Sequence, residues 1–210
     1  MAFNEDTRVK IPALIHLTRL GYKYFSLKDK KFDINPDTNI LTNIFSKKIA
    51  ELNHEADATS IDLEIKNIVE ELNYDDLGRA FYKRLIGTGD GDLKLIDWDK
   101  FENNDFHITT ELTCKNGDDE FRPDITVFVN GIPLSFIEVK KPNNYEGIKA
   151  ERDRIQVRFK NDKFRRFINI TQLLVFSNNM EYEDTDSNKL QGAFYATTSK
   201  NSDSMFNNFR

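Results

Sequence analysis

Phe121-Arg-Pro-Asp-Ile-Thr-Val-Phe-Val-Asn-Gly-Ile-Pro-Leu-Ser-Phe-Ile-Glu-Val-Lys-Lys-Pro142 is the stretch that decides the fold. It reads as two strands, Asp124–Val129 and Leu134–Lys140, joined at Asn130-Gly131, a dipeptide suited to a tight hairpin turn. Each strand carries charge where apolar residues dominate: Asp124 opens the first, and Glu138 and Lys140 close the second. The period of two puts Glu138 and Lys140 on one face. Pro142 stops the second strand just beyond the lysine.

Register decides whether Asp124 joins them. A strict two-residue turn places Asp124 opposite Ile137, so the aspartate misses Glu138 by one position. A three-residue loop (Asn130-Gly131-Ile132) or a bulge restores the match, and the offset is expected. The two acids would then converge amid apolar runs, where a carboxylate pair needs a partner. Two carboxylates form a hard-oxygen site suited to Mg²⁺, and an adjacent ammonium suits phosphodiester chemistry.

The rest of the chain sets the frame. A length of 210 residues accommodates a sizeable core, and 39% hydrophobic with 31% charged residues describes an ordinary globular chain. Seventeen phenylalanines point to an aromatic-rich interior. The net charge of −5 is uneven: Lys149 to Arg166 holds eight basic residues against three acids, a local +5 that leaves −10 elsewhere. The single Cys114 forms no internal disulfide and is expected to be a packed thiol. With no signal peptide or long apolar run, a cytoplasmic location is expected.

In order, the pattern predicts a helix over Arg8–Leu20, ended by Gly21, then a strand at Tyr22–Leu27 and a helix at Asn39–Leu52. A polar break follows at His54–Ser60, then a helix at Ile61–Leu72 capped by Thr59 or Ser60. The next helix is Asp75–Leu85, capped by Asp75 or Asp76. Gly87–Asp92 lacks phosphate-loop spacing and reads as a turn cluster. Strands are expected at Leu93–Trp98 and His107–Lys115, with Trp98 in the core. After the hairpin come a helix at Gly147–Asn161, a strand at Thr171–Ser177, a polar loop and a strand at Gly192–Thr198. From residue 75 the order is αβββ(β)αβ, an α/β sandwich around a mixed sheet. Residues 1–58 form a helix–strand–helix extension packed on a core at 59–210. The end at Phe206–Arg210 brings no closing element, so the chain reads as the front of something longer.

Several side chains are candidates for binding. The basic segment 149–166 follows the second strand, so its helix should lie beside the hairpin site, where Arg154, Arg158 and Arg165 could meet phosphates; the alternative is a solvated face with internal pairs such as Glu151 with Arg154 or Arg158. A third acid could come from Glu64, Glu70, Glu71 or Glu111. His16, His54 and His107 have no zinc-ligand spacing.

The pattern Asp-x13-Glu-x-Lys on a hairpin resembles that of the PD-(D/E)xK nucleases. More specifically, the chain resembles the N-terminal endonuclease region of the type I restriction enzyme R subunit. The matching segments are Arg8–Tyr22, Asp76–Tyr82, Phe121–Asn144, Phe167–Asn179 and Gly192–Tyr195, which cover nearly the whole chain. The resemblance implies a restriction-endonuclease-like core and Mg²⁺-dependent DNA cleavage. It makes Asp124 and Glu138 metal ligands and Lys140 the catalytic lysine. It also implies a complex with methylase and specificity subunits, acting on double-stranded DNA. An ATP-driven motor would lie elsewhere in the full-length chain; no Walker A sequence occurs here, so no ATPase activity is expected of these residues. The Gln-x3-Tyr element of related nucleases is matched only at Gln156, which is followed at the fourth position by Lys160. A docking module with a vestigial site and a stand-alone nuclease or resolvase are the other readings.

Overall fold

The computed structural model of the chain describes residues 4–87, 89, 91–116, 119–141, 145–177 and 193–196. A six-stranded mixed sheet, in the order β1-β2-β5-β6-β7-β8, lies at its centre with helices on both faces. Its strands are β1 (Lys23–Tyr24), β2 (Phe106–Thr110), β5 (Ile125–Val129), β6 (Ile132–Val139), β7 (Leu173–Ser177) and β8 (Ala193–Ala196). β2, β5 and β6 run as an antiparallel meander, whereas β1 joins β2 and β7 joins β6 in parallel. A separate two-stranded ribbon pairs β3 (Cys114–Asn116) with β4 (Asp119–Phe121).

The hairpin resolves its register through a bulge. Asn130 and Gly131 both have positive φ (52° and 82°), the requirement of a two-residue type I′ turn. Val129 therefore faces Ile132 and Phe128 faces Pro133, but Val127 then faces Ser135. Leu134 is the extra residue, and its carbonyl accepts from Gln172 N at 2.7 Å. Beyond the bulge Ile125 faces Ile137, which puts Asp124 level with Glu138. The offset is present, produced by a bulge and not by a three-residue loop.

One sheet face is covered by α1 (Ile11–Arg19), which continues a π-helical turn at Asp6–Lys10. Ala13, Leu14 and Leu17 of α1 pack on Ile108, Ile125, Val127 and Ile137. The other face meets α2 (Thr42–Leu52), α3 (Ala58–Glu71), α4 (Arg79–Leu85) and α6 (Arg165–Ile170). Phe45, Ile49, Ile61, Ile68, Phe81 and Leu85 from these helices share one buried cluster with Ile132, Leu134 and Ile170. A second aromatic group joins Phe121, Phe136, Phe164 and Phe167 with ring centroids 4.5–6.5 Å apart. The interior is as rich in phenylalanine as the composition suggests.

Several boundaries differ from the sequence pattern. Residues 93–98 alternate like a strand but form none. Their backbone is served by side chains instead: Asn53 bonds both Lys94 N and Lys94 O, and Asn130 Nδ2 donates to Leu95 O. Trp98 is 54% exposed, not core, with its indole N–H donating to Leu85 O. The strand expected at 107–115 breaks at Glu111, whose φ is 55°, and its second half joins the small ribbon. The third helix starts earlier than the apolar pattern indicates, because Asp57 rather than Thr59 or Ser60 is the N-cap and accepts from Ser60 N at 2.8 Å. The fourth helix starts late, at Arg79, because Leu77 and Gly78 take left-handed conformations. Asp76 still accepts from Ala80 N. The short helix α6 is hidden from a periodicity reading by its six-residue length. The polar loop expected at 178–189, the strand stop expected at Pro142 and the chain end at 206–210 lie outside the described residues.

The turn generates a stability prediction. A Cβ on Gly131 would sit 2.7 Å from Leu41 O and 2.9 Å from Phe45 N, where the hairpin meets α2. Gly131→Ala should destabilise the fold by about 2 kcal/mol or more, combining a positive φ with a backbone clash. Chemical denaturation of the two proteins measures it; equal midpoints would contradict the packing described.

Candidate active site

The bulge brings Asp124 and Glu138 together at the C-terminal end of β6. Asp124 Oδ2 accepts from Val139 N at 2.8 Å, which locks the aspartate across the hairpin. Glu138 is 6% exposed. Burial, the Asp124 charge and a hydrogen bond with Asp124, with Glu151 adding to them, push its carboxyl up to about 9. Lys140 acts against that rise. A carboxyl held this high favours a proton or a cation.

Lys140 sits just past the strand, its own N–H donating to Ser177 O at 2.9 Å. Its ammonium lies 3.9 Å from Glu138, 3.3 Å from Glu151 and 3.0 Å from Val139 O. Glu151 comes from α5 (Tyr145–Phe159), is 3% exposed at its side chain, and is also paired with Arg154 at 2.9 Å and Arg158 at 3.6 Å. Arg158 in turn lies over the Phe121 ring, 4.5 Å from its centroid. The basic helix does stand beside the hairpin site, and its Arg154 and Arg158 take the internal pairing with Glu151. Arg165 goes elsewhere, to Asn73 O and Asp162. Gln156 is half-buried on α5, and its amide nitrogen has no hydrogen-bond partner among the described residues.

The chain's N-terminus contributes groups that the sequence pattern did not single out. Lys10 pairs with Asp124 at 3.5 Å, with Glu111 at short range, and with Asp6 at 3.9 Å. Glu5 lies near enough to Lys140 and Asp124 to feel both, and it accepts from the Lys141 backbone; burial nonetheless raises its carboxyl above the usual range. Of the proposed third acids, Glu111 reaches this neighbourhood through Lys10. Glu64 and Glu71 belong to a different group around Arg84, together with Asp92. Glu70 is exposed on α3. Only the charge of residues 5–10 hinted at Glu5 and Lys10. Nothing in local spacing could pair residue 10 with residue 124.

The donor set is two hard carboxylates, one from each arm of the hairpin. No group of three or more histidine, cysteine, aspartate or glutamate residues is arranged to hold a metal among the described residues. Two carboxylates fit the sparse protein ligation typical of Mg²⁺. His16 and His54 are exposed and His107 is buried in the sheet. Cys114 is buried, accepts from Asn39 Nδ2 at 3.2 Å, and has its thiol pushed up to about 12 by burial, as a packed thiol should. No helix among the described residues is long and apolar enough to cross a membrane.

The chain is a mixed α/β domain in which two acids and a lysine gather at the end of a hairpin. The chain belongs to the family described as the type I restriction enzyme R protein N terminus, whose model matches residues 2–193. A candidate MjaIXP type I restriction enzyme endonuclease subunit from Methanocaldococcus jannaschii is 28% identical over 205 residues, covering 85% of this chain and 19% of the relative. Two further candidate endonuclease subunits from that organism, MjaVIIIP and MjaVIIP, are 47% and 44% identical over 49 and 48 residues. Each match covers 23% of this chain, and 5% and 4% of those relatives. The chain spans about a fifth of the length of the first of these relatives.

The raised Glu138 carboxyl has a measurable consequence. Its folded value exceeds its unfolded one, so its contribution to stability is full below about pH 4.5 and is lost as pH rises towards about 9. Cation-free protein should therefore lose stability across that window, and Glu138→Gln should flatten the decline and raise Tm at pH 8 by several degrees. Thermal melts from pH 5 to 9 in chelator provide the test; parallel slopes would show that Glu138 ionises freely.

Proposed function

We propose that this chain is the DNA-cleaving domain of a type I restriction enzyme R subunit, with a PD-(D/E)xK core of the restriction-endonuclease type. The observation that carries the reading is the bulge that sets Asp124 level with Glu138, with Lys140 two residues on. In this reading residues 1–58 are an extension packed on a core at 59–210. The domain acts in the cytoplasm on double-stranded DNA, within a complex of methylase and specificity subunits. Cutting follows the stalling of an ATP-driven motor carried elsewhere in the full-length protein.

Asp124 and Glu138 would hold Mg²⁺, which when bound polarises the phosphate and lowers the pKa of a coordinated water. Asp124 is already oriented for this by its bond from Val139 N. Burial of Glu138 keeps its charge from persisting without a counter-ion. Lys140 supplies a positive charge for the oxygens of the pentacoordinate transition state. Water oxygen bonds to phosphorus as the opposite P–O bond breaks, and the water proton passes to the leaving oxygen. The arginines of α5 lie on the same side and offer charge to flanking phosphates, with Arg154 the more exposed of the pair on Glu151.

A second reading draws on the pairing of Lys10 with Asp124 and of Lys140 with Glu151. Internal ion pairs of this kind would also suit a docking module whose site is no longer used. The two readings separate in the assembled complex. Asp124→Ala, Glu138→Ala and Lys140→Ala should each reduce plasmid cleavage at least 10³-fold while ATP hydrolysis continues at the wild-type rate. Cleavage at wild-type levels in all three would leave the docking module.

A further inference from the structure

We infer that Glu151 is the positioning residue for Lys140, a role that rests on the nuclease reading of Lys140. A lysine ammonium rides on a flexible four-carbon stem and holds one place only where fixed partners define it. Among the described residues two carboxylates lie within 4 Å of the ammonium, and Glu138, at 3.9 Å, is the more distant. The nearer is Glu151 at 3.3 Å, and its side chain is 3% exposed, so solvent and salt screen the attraction little.

Glu151 is itself fixed. It projects from α5, and the adjacent Ile155, one turn on, is 1% exposed and anchors that helix in the interior. Glu151 Oε2 accepts from Arg154 at 2.9 Å while Oε1 faces Arg158 at 3.6 Å. Arg158 is held from its other side by the Phe121 ring, and Phe121 stacks edge-on against Phe164 and Phe167. The chain of contacts thus runs from the aromatic core through Arg158 and Glu151 to the lysine at the end of β6. Lys140 completes the set with its bond to Val139 O at 3.0 Å. A buried acid with three cationic neighbours exceeds what docking a helix requires. Its placement within reach of the ammonium that, among the described residues, stands beside Glu138 suits it to fix that ammonium for the reaction.

The test is a mutant cycle in the assembled complex, read by single-turnover cleavage at varied DNA concentration with Mg²⁺ present. Glu151→Gln keeps the shape and removes the charge. It should lower the maximal cleavage rate about 10–100-fold, the cost of a small misplacement of a reacting group, while half-saturating DNA changes less than about two-fold. Glu151→Asp, which keeps the charge, should recover part of the loss. Combined with Lys140→Ala, Glu151→Gln should add nothing, because the residue acts through the lysine. Multiplicative losses, or a wild-type rate in Glu151→Gln, would overturn the inference. If Glu151→Gln fails to give a native thermal melt, Glu151→Asp carries the same cycle. Asp124→Ala is the control: loss of cleavage there with full activity in Glu151→Gln sinks the positioning role alone, whereas wild-type cleavage by Asp124→Ala sinks the nuclease reading and this inference together.

Discussion

One extra residue in β6 governs the arrangement of this domain's charged centre. Side chains alternate along a strand, so a slip of one position exchanges the two faces of the sheet. The type I′ turn at Asn130-Gly131 imposes a register that would leave Asp124 level with Ile137. Leu134, the unpaired residue of the bulge, cancels that slip. Turn and bulge have to be taken together: the first fits the right-handed twist of the strands, and the second re-aims the strand end. Asn130 secures the corner from below, bonding Asp105 through its backbone and side chain, and Leu95 and Asn104 through its amide.

With the register set, electrostatics follow from burial. Two carboxyls at one strand end, one of them almost fully enclosed, are mutually repulsive when ionised. The domain surrounds them with cations drawn from distant parts of the chain: Lys10 before the sheet, Lys140 just past the end of β6, and Arg154 and Arg158 behind Glu151. The Arg84 group shows a comparable arrangement away from this centre, with Glu64, Glu71 and Asp92 gathered on one guanidinium and burial raising Glu64 despite it.

The hairpin, the helices at 11–19, 42–52 and 58–71, and the central strands were legible because each is long or strongly patterned. The offset between Asp124 and Glu138 was legible too, since turn chemistry and alternation disagreed by one and something had to reconcile them. What escaped the sequence was non-local. Residues 93–98 have a strand's alternation, yet Asn53 and Asn130, distant in sequence, capture their backbone. Trp98 has a core residue's chemistry but a half-exposed position. The sequence places candidate third acids on a preceding helix and on the first strands. Glu64 and Glu71 had already been claimed by Arg84, and the N-terminal Glu5 came closer. Glu151 was visible only as a partner for arginines on its own helix, because its contact with Lys140 crosses from α5 to β6.

Lys10 meets Glu111 and Asp124 across more than a hundred residues of chain. Closing a loop of that length costs about 4 kcal/mol of chain entropy beyond a constant term, and it defers the contact until most of the polypeptide is available. During synthesis from the N-terminus, Lys10 emerges first, Asp124 and Glu138 much later, and Glu151 last of these. The charged centre can therefore be completed only after Glu151 and its helix have been synthesised.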